Sequence, residues 1–462
     1  MTDLKPFSPA QIVEIELAAP LSDIPPAYAL SGEKYRRARA VVRLHTQPLG
    51  LVEFELDQNG QRVEVYAAAV WQALNQAIND HLQADGLPQV QALTAAGLAR
   101  DEPPRCWQER AALLETAPFV SIIVATHDRP IELGAALQSL LSLAYPRYEI
   151  IVVDNAPSTD ATAELVQSLA AGRSEVRYVR EDCAGLAVAH NRGLLEVTAP
   201  IVAFTDDDVR VDRHWLAEIV RGFHVSDRVA CVTGLILPSE LESPAQAWIE
   251  QFGGFTKGFA PRVFDRSNGS GPLYPYTAGR FGSGASMAFK TAVLRHLGGF
   301  DSALGAGTLA LGGDDLAAFF QIIMAGYQLV YQPSALLYHH HRRDYAGLRR
   351  QAYGYGAGLT AYLMSILVAR PKRILDLALR FPAGMAYALS PRSPKNQNRQ
   401  ADYPVDLTRQ EWRGMLYGPL AYLRSRWRIR HLLYQFELAN FEDRLAPWRD
   451  PLTATRQDGA RP

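Results

Sequence analysis

The sequence predicts an α/β protein built on a largely parallel sheet, preceded by a small α+β unit and followed by a helical extension. Three observations carry this expectation. Between Phe119 and Asp208, short apolar runs alternate with amphipathic stretches, the pattern of βαβ units joined by right-handed crossovers. One run, Pro200 to Phe204, ends abruptly in Thr205-Asp206-Asp207-Asp208. Such a run reads as a strand buried on both faces, and open α/β sheets bind ligands beyond the carboxyl ends of their strands. From residue 346 onward the apolar spacing becomes helical and the charge basic, with seventeen Lys or Arg against five Asp or Glu between His340 and Arg430.

Taken in order, residues 1–116 read as the small α+β unit. Strand-like runs at Ile12 to Leu17, Ala40 to Leu44 and Leu51 to Leu56 precede a helix from Val65 to Leu82, where Val70, Leu74, Ile78 and Leu82 form one buried stripe. His45 stands alone beside a strand and reads as structural. Asp101 to Arg105, with two prolines, marks a linker. Residues 117–345 form the α/β domain. Strands are expected at Val120 to Ala125, Ile150 to Val153, Val176 to Arg180 and Pro200 to Phe204, with helices at Ile131 to Leu143, Asp160 to Ala171 and Leu186 to Val197. Phe281 to Phe289 reads as a glycine-lined strand. Residues 346–462 carry helices near Tyr345 to Ala369, Arg373 to Leu389 and Pro419 to Leu438. In the last of these, Tyr422, Ile429, Leu433 and Phe436 form a stripe beside four arginines.

Composition narrows the classes. Of 462 residues, 48% are hydrophobic and 21% charged, ordinary for a soluble globular protein. Three scattered cysteines without a CxxC fit a reducing compartment and no disulfide framework. The first residues lack a basic stretch followed by an apolar one, so a cytoplasmic location is expected, at the inner face of the membrane if the basic tail touches lipid. The uncharged run between Arg350 and Arg370 falls short of the roughly 20 predominantly apolar residues of a membrane span. No G-x-G-x-x-G follows the first strand and no G-x-x-x-x-G-K-[ST] occurs, which argues against a dinucleotide oxidoreductase and a P-loop nucleotidase. No nucleic-acid partner is expected.

The candidate chemistry gathers at strand ends. Side chains alternate along an extended segment, so Asp206 and Asp208 share a side and Asp207 points away. No cation lies nearer to them in sequence than Arg210. Such a D-x-D pair suits Mg²⁺ or Mn²⁺ bound together with substrate phosphates; the alternative is an acidic turn capping the helix that begins near Asp212. Asp314 and Asp315 follow a Gly-Gly turn at a helix start, either as catalytic carboxylates or as acids complementing the helix dipole, for roughly 0.3–1 kcal/mol. His339 and His341 share a face and either meet a metal or belong to a solvated basic turn.

Ser121 to Pro130, Val152 to Asn155, Gly185 through Asn191-Arg192-Gly193, and Phe204 to Asp208 together resemble the successive nucleotide-sugar motifs of glycosyltransferase family 2, from about residue 119 to 345. The resemblance implies a GT-A fold and a metal-dependent, inverting glycosyltransferase. It places Thr126 and Arg129 in the nucleotide pocket, lets Asp154 accept a hydrogen bond from the base, sets Asp206 at the ribose and Asp208 on the metal bridging the diphosphate. Asn155, Gly185, Asn191 and Asp207 fall in the same donor-binding motifs. It further implies a general base in the acidic pair, Asp315 ahead of Asp314, and a metal site completed by His339, with His341 beside it. The donor implied is a nucleoside-diphosphate sugar, UDP-linked ahead of GDP or dTDP, and the acceptor a carbohydrate or lipid-linked hydroxyl. One position departs from the family pattern: His190 stands where arginine is frequent. Two other readings remain open at this stage, a sugar-phosphate nucleotidyltransferase and a non-catalytic carbohydrate- or lipid-binding factor.

Overall fold

A computed structural model describes residues 7–430 apart from 101, 253, 254, 270, 394, 398 and 401. The expected stripe positions Leu433 and Phe436 lie outside the described residues.

The N-terminal unit is a three-stranded sheet of β1 (Gln11–Glu16), β2 (Arg37–Leu44) and β3 (Gln47–Glu55), with β2 central, parallel to β1 and antiparallel to β3. Helix α1 (Val63–Ala84) lays Val70, Ile78 and Leu82 against one face, as their spacing requires, while Leu74 is only partly buried. The Pro103-Pro104 pair opens a helix the sequence did not announce, α2 (Arg105–Glu115). Proline at a helix start forfeits only amides that lack partners anyway. The far face of the small sheet packs onto the next domain through Val41 against Leu235, Leu237, Tyr331 and Tyr338. Two buried ion pairs reinforce the contact: Arg43 with Asp212 at 2.7 Å and Arg110 with Glu218 at 3.2 Å.

The α/β domain runs β4 (Val120–Thr126), α3 (Pro130–Leu141), β5 (Tyr148–Asn155), α4 (Ala161–Ala170), β6 (Val176–Glu181), α5 (Leu186–Glu196), β7 (Ile201–Asp206), β8 (Val209–Val211) and α6 (Trp215–Phe223). It continues through β9 (Val229–Pro238), α7 (Pro244–Gln251), β10 (Arg262–Phe264), β11 (Ser286–Lys290), α8 (Thr291–His296), α9 (Asp314–Met324) and β12 (Gln328–His339). The nine-stranded sheet has the order β10-β12-β9-β11-β7-β4-β5-β6, with β8 beside β12. Strands β6, β5, β4 and β7 are parallel, as the alternation predicts. The remainder is mixed, because β11 inserts antiparallel between β7 and β9 and β8 and β10 run antiparallel to β12. The expected strand at 281–289 is shorter than read. Only Ser286–Lys290 pairs; Phe281 to Ala285 turn at the strand entrance, where Gly282 adopts φ 153°. Both faces of the sheet are covered, Ile123, Ile151 and Phe204 facing one core and Ile122, Val124 and Val152 the other.

The extension comprises α10 (Tyr345–Ala369), α11 (Arg373–Leu389) and α12 (Val405–Ile429). The last begins well before Pro419, which lies inside it. A proline there leaves the carbonyl of Met415 without its usual amide. Thr360 of α10 donates its hydroxyl to that carbonyl at 2.7 Å, so the helix continues. Helices α10 and α12 approach so closely that a Cβ on Gly356 would lie 2.0 Å from the carbonyl oxygen of Glu411. As a single 25-residue element, α10 is long and apolar enough to cross a membrane on length and composition, contrary to the expectation from its sequence. Of its most apolar window, 44% is buried within the protein, and its glycine-rich face packs on α12 and on the turn before α9.

Candidate active site

The carboxyl ends of β4, β7 and β12 open onto one cavity of about 1140 Å³. Arg129, Asp206, Asp207, Asp208, Asp314, Asp315 and His339 all line it. Strand β7 ends at Asp206, and the chain turns through Asp207 and Asp208 into β8. Because β8 pairs antiparallel with β12, Val209 lies opposite His339. This register carries the imidazole to the acids: His339 Nε2 stands 3.2 Å from Asp208 Oδ1 and 3.8 Å from Asp206 Oδ2. The split expected from sequence is present, although a turn and not an extended strand produces it. Asp207 turns the other way, accepting from the Thr126 hydroxyl at 2.7 Å and from Arg129 Nη1 at 2.5 Å. The acids do not lack a cation, however, since Arg129 also reaches Asp208 Oδ2 at 2.9 Å across the space between β4 and β7.

Electrostatics separates the three acids. Burial raises the Asp206 carboxyl well above the usual range, and the charges of Asp208, Asp207, Asp314 and Asp315 add to it. Burial likewise pushes Asp207 up to about 6 against the pull of Arg129. Asp208 is buried too, yet His339 and Arg129 outweigh that and hold it below its ordinary value. Burial lowers His339 to about 4, so its ring is neutral near pH 7 and offers a lone pair. Asp206, Asp208 and His339 present one ligand atom each within 4.8 Å of one another, two hard oxygens and an imidazole nitrogen. That donor set fits a divalent cation with room left for phosphate oxygens and water. His341 is not part of it. Its Nε2 meets Glu250 Oε1 of α7 at 3.0 Å, while its ring and that of His339 both stack on Phe255.

Facing the acids across the cavity, Asp314 and Asp315 open α9. Gly313 before them has φ 88°, and a Cβ there would come 2.5 Å from the carbonyl oxygen of Gly358 in α10. Only glycine allows both the left-handed turn and this approach. The extension thereby braces the acidic pair. Asp315 is fixed by two main-chain amides, Gly284 to Oδ2 at 3.0 Å and Leu316 to Oδ1 at 2.8 Å. Asp314 is more buried, and its Oδ2 lies 3.7 Å from His190 Nδ1. Burial and the adjacent Asp315 charge push the Asp314 carboxyl up to about 7. Burial drives His190 down to about 3, with Phe204 and Phe300 against its ring. A neutral imidazole therefore occupies the position where an arginine would bring a permanent charge.

The remaining expected residues lie off this cavity wall. Asp154, at the end of β5, accepts from the Tyr178 hydroxyl at 2.9 Å, and its Oδ1 is buried with no partner. Such an atom is costly unless a donor arrives. Asn155 spends its amide on main chain, donating to the Cys183 carbonyl and accepting from Gly185 N–H. Asn191 does the same across to Phe300. Gly185, with φ 140°, begins α5. Sequence reading missed Lys257, placed among the cavity residues and lowered to about 8 by burial, with Asp315 and Glu250 opposing. It also missed Arg280, Tyr355 and Arg380 on the wall formed with α10 and α11. No local motif marks these residues; long-range packing brings them in.

The site is thus a mixed α/β sheet whose central strand delivers paired acids to a cavity that a second acidic pair also lines. Residues 121–297 match the profile of glycosyl transferase family 2. The pre-mycofactocin glycosyltransferase of Mycobacterium tuberculosis is 29% identical over 209 residues, covering 44% of this chain and 40% of that protein. Glycosyltransferase AglE of Haloferax volcanii is 31% identical over 107 residues, covering 22% and 35%. The chain thus spans about two-fifths or less of the length of these relatives. Among solved structures, the Pyrobaculum calidifontis mannosyltransferase PcManGT, in complex with GDP-Man and Mn²⁺, aligns over 76% of this chain and 90% of its own at 18% identity and a TM-score of 0.38. GalNAc-T7 with UDP, GalNAc and Mn²⁺ aligns over 61% and 59% at 14% identity and a TM-score of 0.41.

Proposed function

We propose that the protein is a metal-dependent, inverting glycosyltransferase that moves a sugar from a nucleoside-diphosphate donor to an acceptor hydroxyl. The observation that carries this reading is the convergence of two separate acidic groups, Asp206–Asp208 with His339 and Asp314–Asp315, on one cavity of a family 2 domain. The donor's base lies toward Asp154, whose unpartnered Oδ1 awaits an N–H, and its diphosphate toward Asp208 and His339. A divalent cation held by Asp206, Asp208 and His339 supplies charge neutralisation for the departing diphosphate. Asp315 is the general base. Its two amide hydrogen bonds fix the carboxylate while leaving lone pairs toward the cavity, so it can take the acceptor's proton as the hydroxyl attacks the sugar C1. Asp314, deeper and set against His190, holds the pair in place. A single displacement of this kind inverts the anomeric centre.

The reading extends to the surface. In α12, Leu416, Leu420, Leu423 and Trp427 recur every three or four residues and are exposed, and α11 exposes Ile374, Leu375, Leu379 and Phe381. With the local surplus of basic residues, this supports weak docking on an anionic membrane surface, where a lipid-linked acceptor would lie. Thermal-shift screening of the purified chain with UDP-, GDP- and dTDP-sugars, with and without Mn²⁺, tests the donor part. Stabilisation by one base series that requires the cation is expected; none by any series would reject it.

A further inference from the structure

His45 is not alone. Away from the cavity, at the seam between the N-terminal unit and the family 2 domain, it meets His81, Asp85 and Cys106, and one donor atom from each lies within 4.8 Å of all the others. The backbone builds the approach. His45 and Thr46 sit in the tight turn between β2 and β3 with φ of 53° and 69°, and their amides donate to the Glu16 carboxylate at 3.0 and 2.9 Å. That strained turn aims His45 Nδ1 at the end of α1, where His81 and Asp85, four residues apart, share a face. The first turn of α2 contributes Cys106.

The distances form a closed set. His45 Nδ1 is 3.0 Å from His81 Nε2 and 2.8 Å from Asp85 Oδ2; His81 Nε2 is 3.1 Å from the same oxygen, and so is Cys106 Sγ. No placement of protons bridges every side of the triangle made by the two nitrogens and the oxygen. Each neutral imidazole has one N–H, and if both donate to Asp85 the ring nitrogens are left pressed together without a hydrogen bond. A cation at the centre takes all these lone pairs at once. The outer contacts are those of a built site: Cys106 N–H donates to Asp85 Oδ1 at 2.9 Å, which leaves Oδ2 facing inward, and Trp107 Nε1 donates to the His45 carbonyl at 3.0 Å.

We propose that His45 Nδ1, His81 Nε2, Asp85 Oδ2 and Cys106 Sγ bind a zinc ion. Two imidazoles, a carboxylate and a thiolate make a borderline-soft set suited to zinc, and four protein ligands in a buried place are the arrangement of a structural site with no open position for catalysis. On binding, Cys106 gives up its thiol proton to solvent and becomes the thiolate ligand. The ion ties the β2–β3 turn and α1 to α2. Through Arg110, which pairs with buried Glu218 of α6, it fixes the N-terminal unit on the family 2 domain.

The test uses the full chain and a signal that the cavity's acidic site cannot produce. Metal analysis after dialysis against a mild chelator should find about one zinc per chain. Replacing it with Co²⁺ should give a near-ultraviolet thiolate-to-cobalt charge-transfer band, since Asp206, Asp208 and His339 include no sulfur. Cys106→Ser should remove the band, while Asp208→Ala and Cys183→Ser should keep it. A chain without retained zinc, whose reduced form shows no such band with added Co²⁺, would overturn the proposal and leave a hydrogen-bonded latch; so would a band that survives Cys106→Ser.

Discussion

His339 Nε2 lies 3.2 Å from Asp208 Oδ1 because three residues of β8 pair with the end of β12 and set the two side chains in register. A side chain from the last strand of the sheet thus joins a group begun on its central strand. Asp208→Ala should abolish cation-dependent binding of nucleoside diphosphate in calorimetry. His339→Ala should weaken it by at least the roughly 10–100-fold that loss of a supporting contact costs a metal site. Equal binding in EDTA by the unaltered protein would contradict this.

Substitution of the acidic pair distinguishes a catalytic carboxylate from a purely structural one. If Asp315 only complements the dipole of α9, Asp315→Asn costs at most about 1 kcal/mol of stability and leaves turnover intact. As general base, the amide keeps the shape but takes no proton, so transfer should fall roughly 10²–10⁴-fold with donor affinity nearly unchanged. Both quantities are to be measured on Asp315→Asn and Asp314→Asn. A larger rate loss in the Asp314 variant would move the base one residue back.

Stability should depend on pH through Asp314. Its folded carboxyl, pushed up to about 7 by burial, lies above the roughly 3.9 of an unfolded aspartate. The protonated form therefore favours the fold. That contribution is complete below about pH 4 and is lost as pH rises through about 7. In EDTA, the melting temperature of Asp314→Asn relative to the unaltered protein should climb between about pH 4 and 7 and level off above that. A constant difference across that range would show that Asp314 does not titrate there.

Sedimentation with liposomes tests the helical extension. Anionic vesicles should pellet the protein at low salt and release it as salt rises, at roughly 1 kcal/mol per well-placed basic residue. Replacing Leu416, Leu420 and Trp427 together by Ser should weaken retention. Equal pelleting with neutral vesicles, or none at low salt, would rule out this docking.

Much of the domain was legible because its signals are local. The apolar runs 120–125, 150–153 and 200–204 each became a strand, and Asp207 points away from Asp206 and Asp208 as read, though through a turn and not through strand alternation. What escaped depends on contacts distant in sequence. Nothing near Phe281 announces that β11 inserts antiparallel between β7 and β9. Pro419 reads as a helix start until Thr360 of another helix is seen serving the carbonyl it strands. His339 and His341 look equivalent in the chain, and partners distant in sequence separate them, Asp208 for the first and Glu250 of α7 for the second. His45 looked solitary because its partners come from one helix's end and the next helix's beginning.

Cation-dependent transfer of a sugar with release of nucleoside diphosphate is read out in the nucleotide product. The chain is incubated with the donor that stabilises it and Mn²⁺, with water or a supplied sugar as acceptor, and nucleotide products are separated. Nucleoside diphosphate is expected in the unaltered protein, none in EDTA or in Asp208→Ala, and a strongly reduced yield in Asp315→Asn. Release of nucleoside monophosphate or consumption of pyrophosphate in place of diphosphate formation, or diphosphate formed equally by Asp208→Ala, would contradict it.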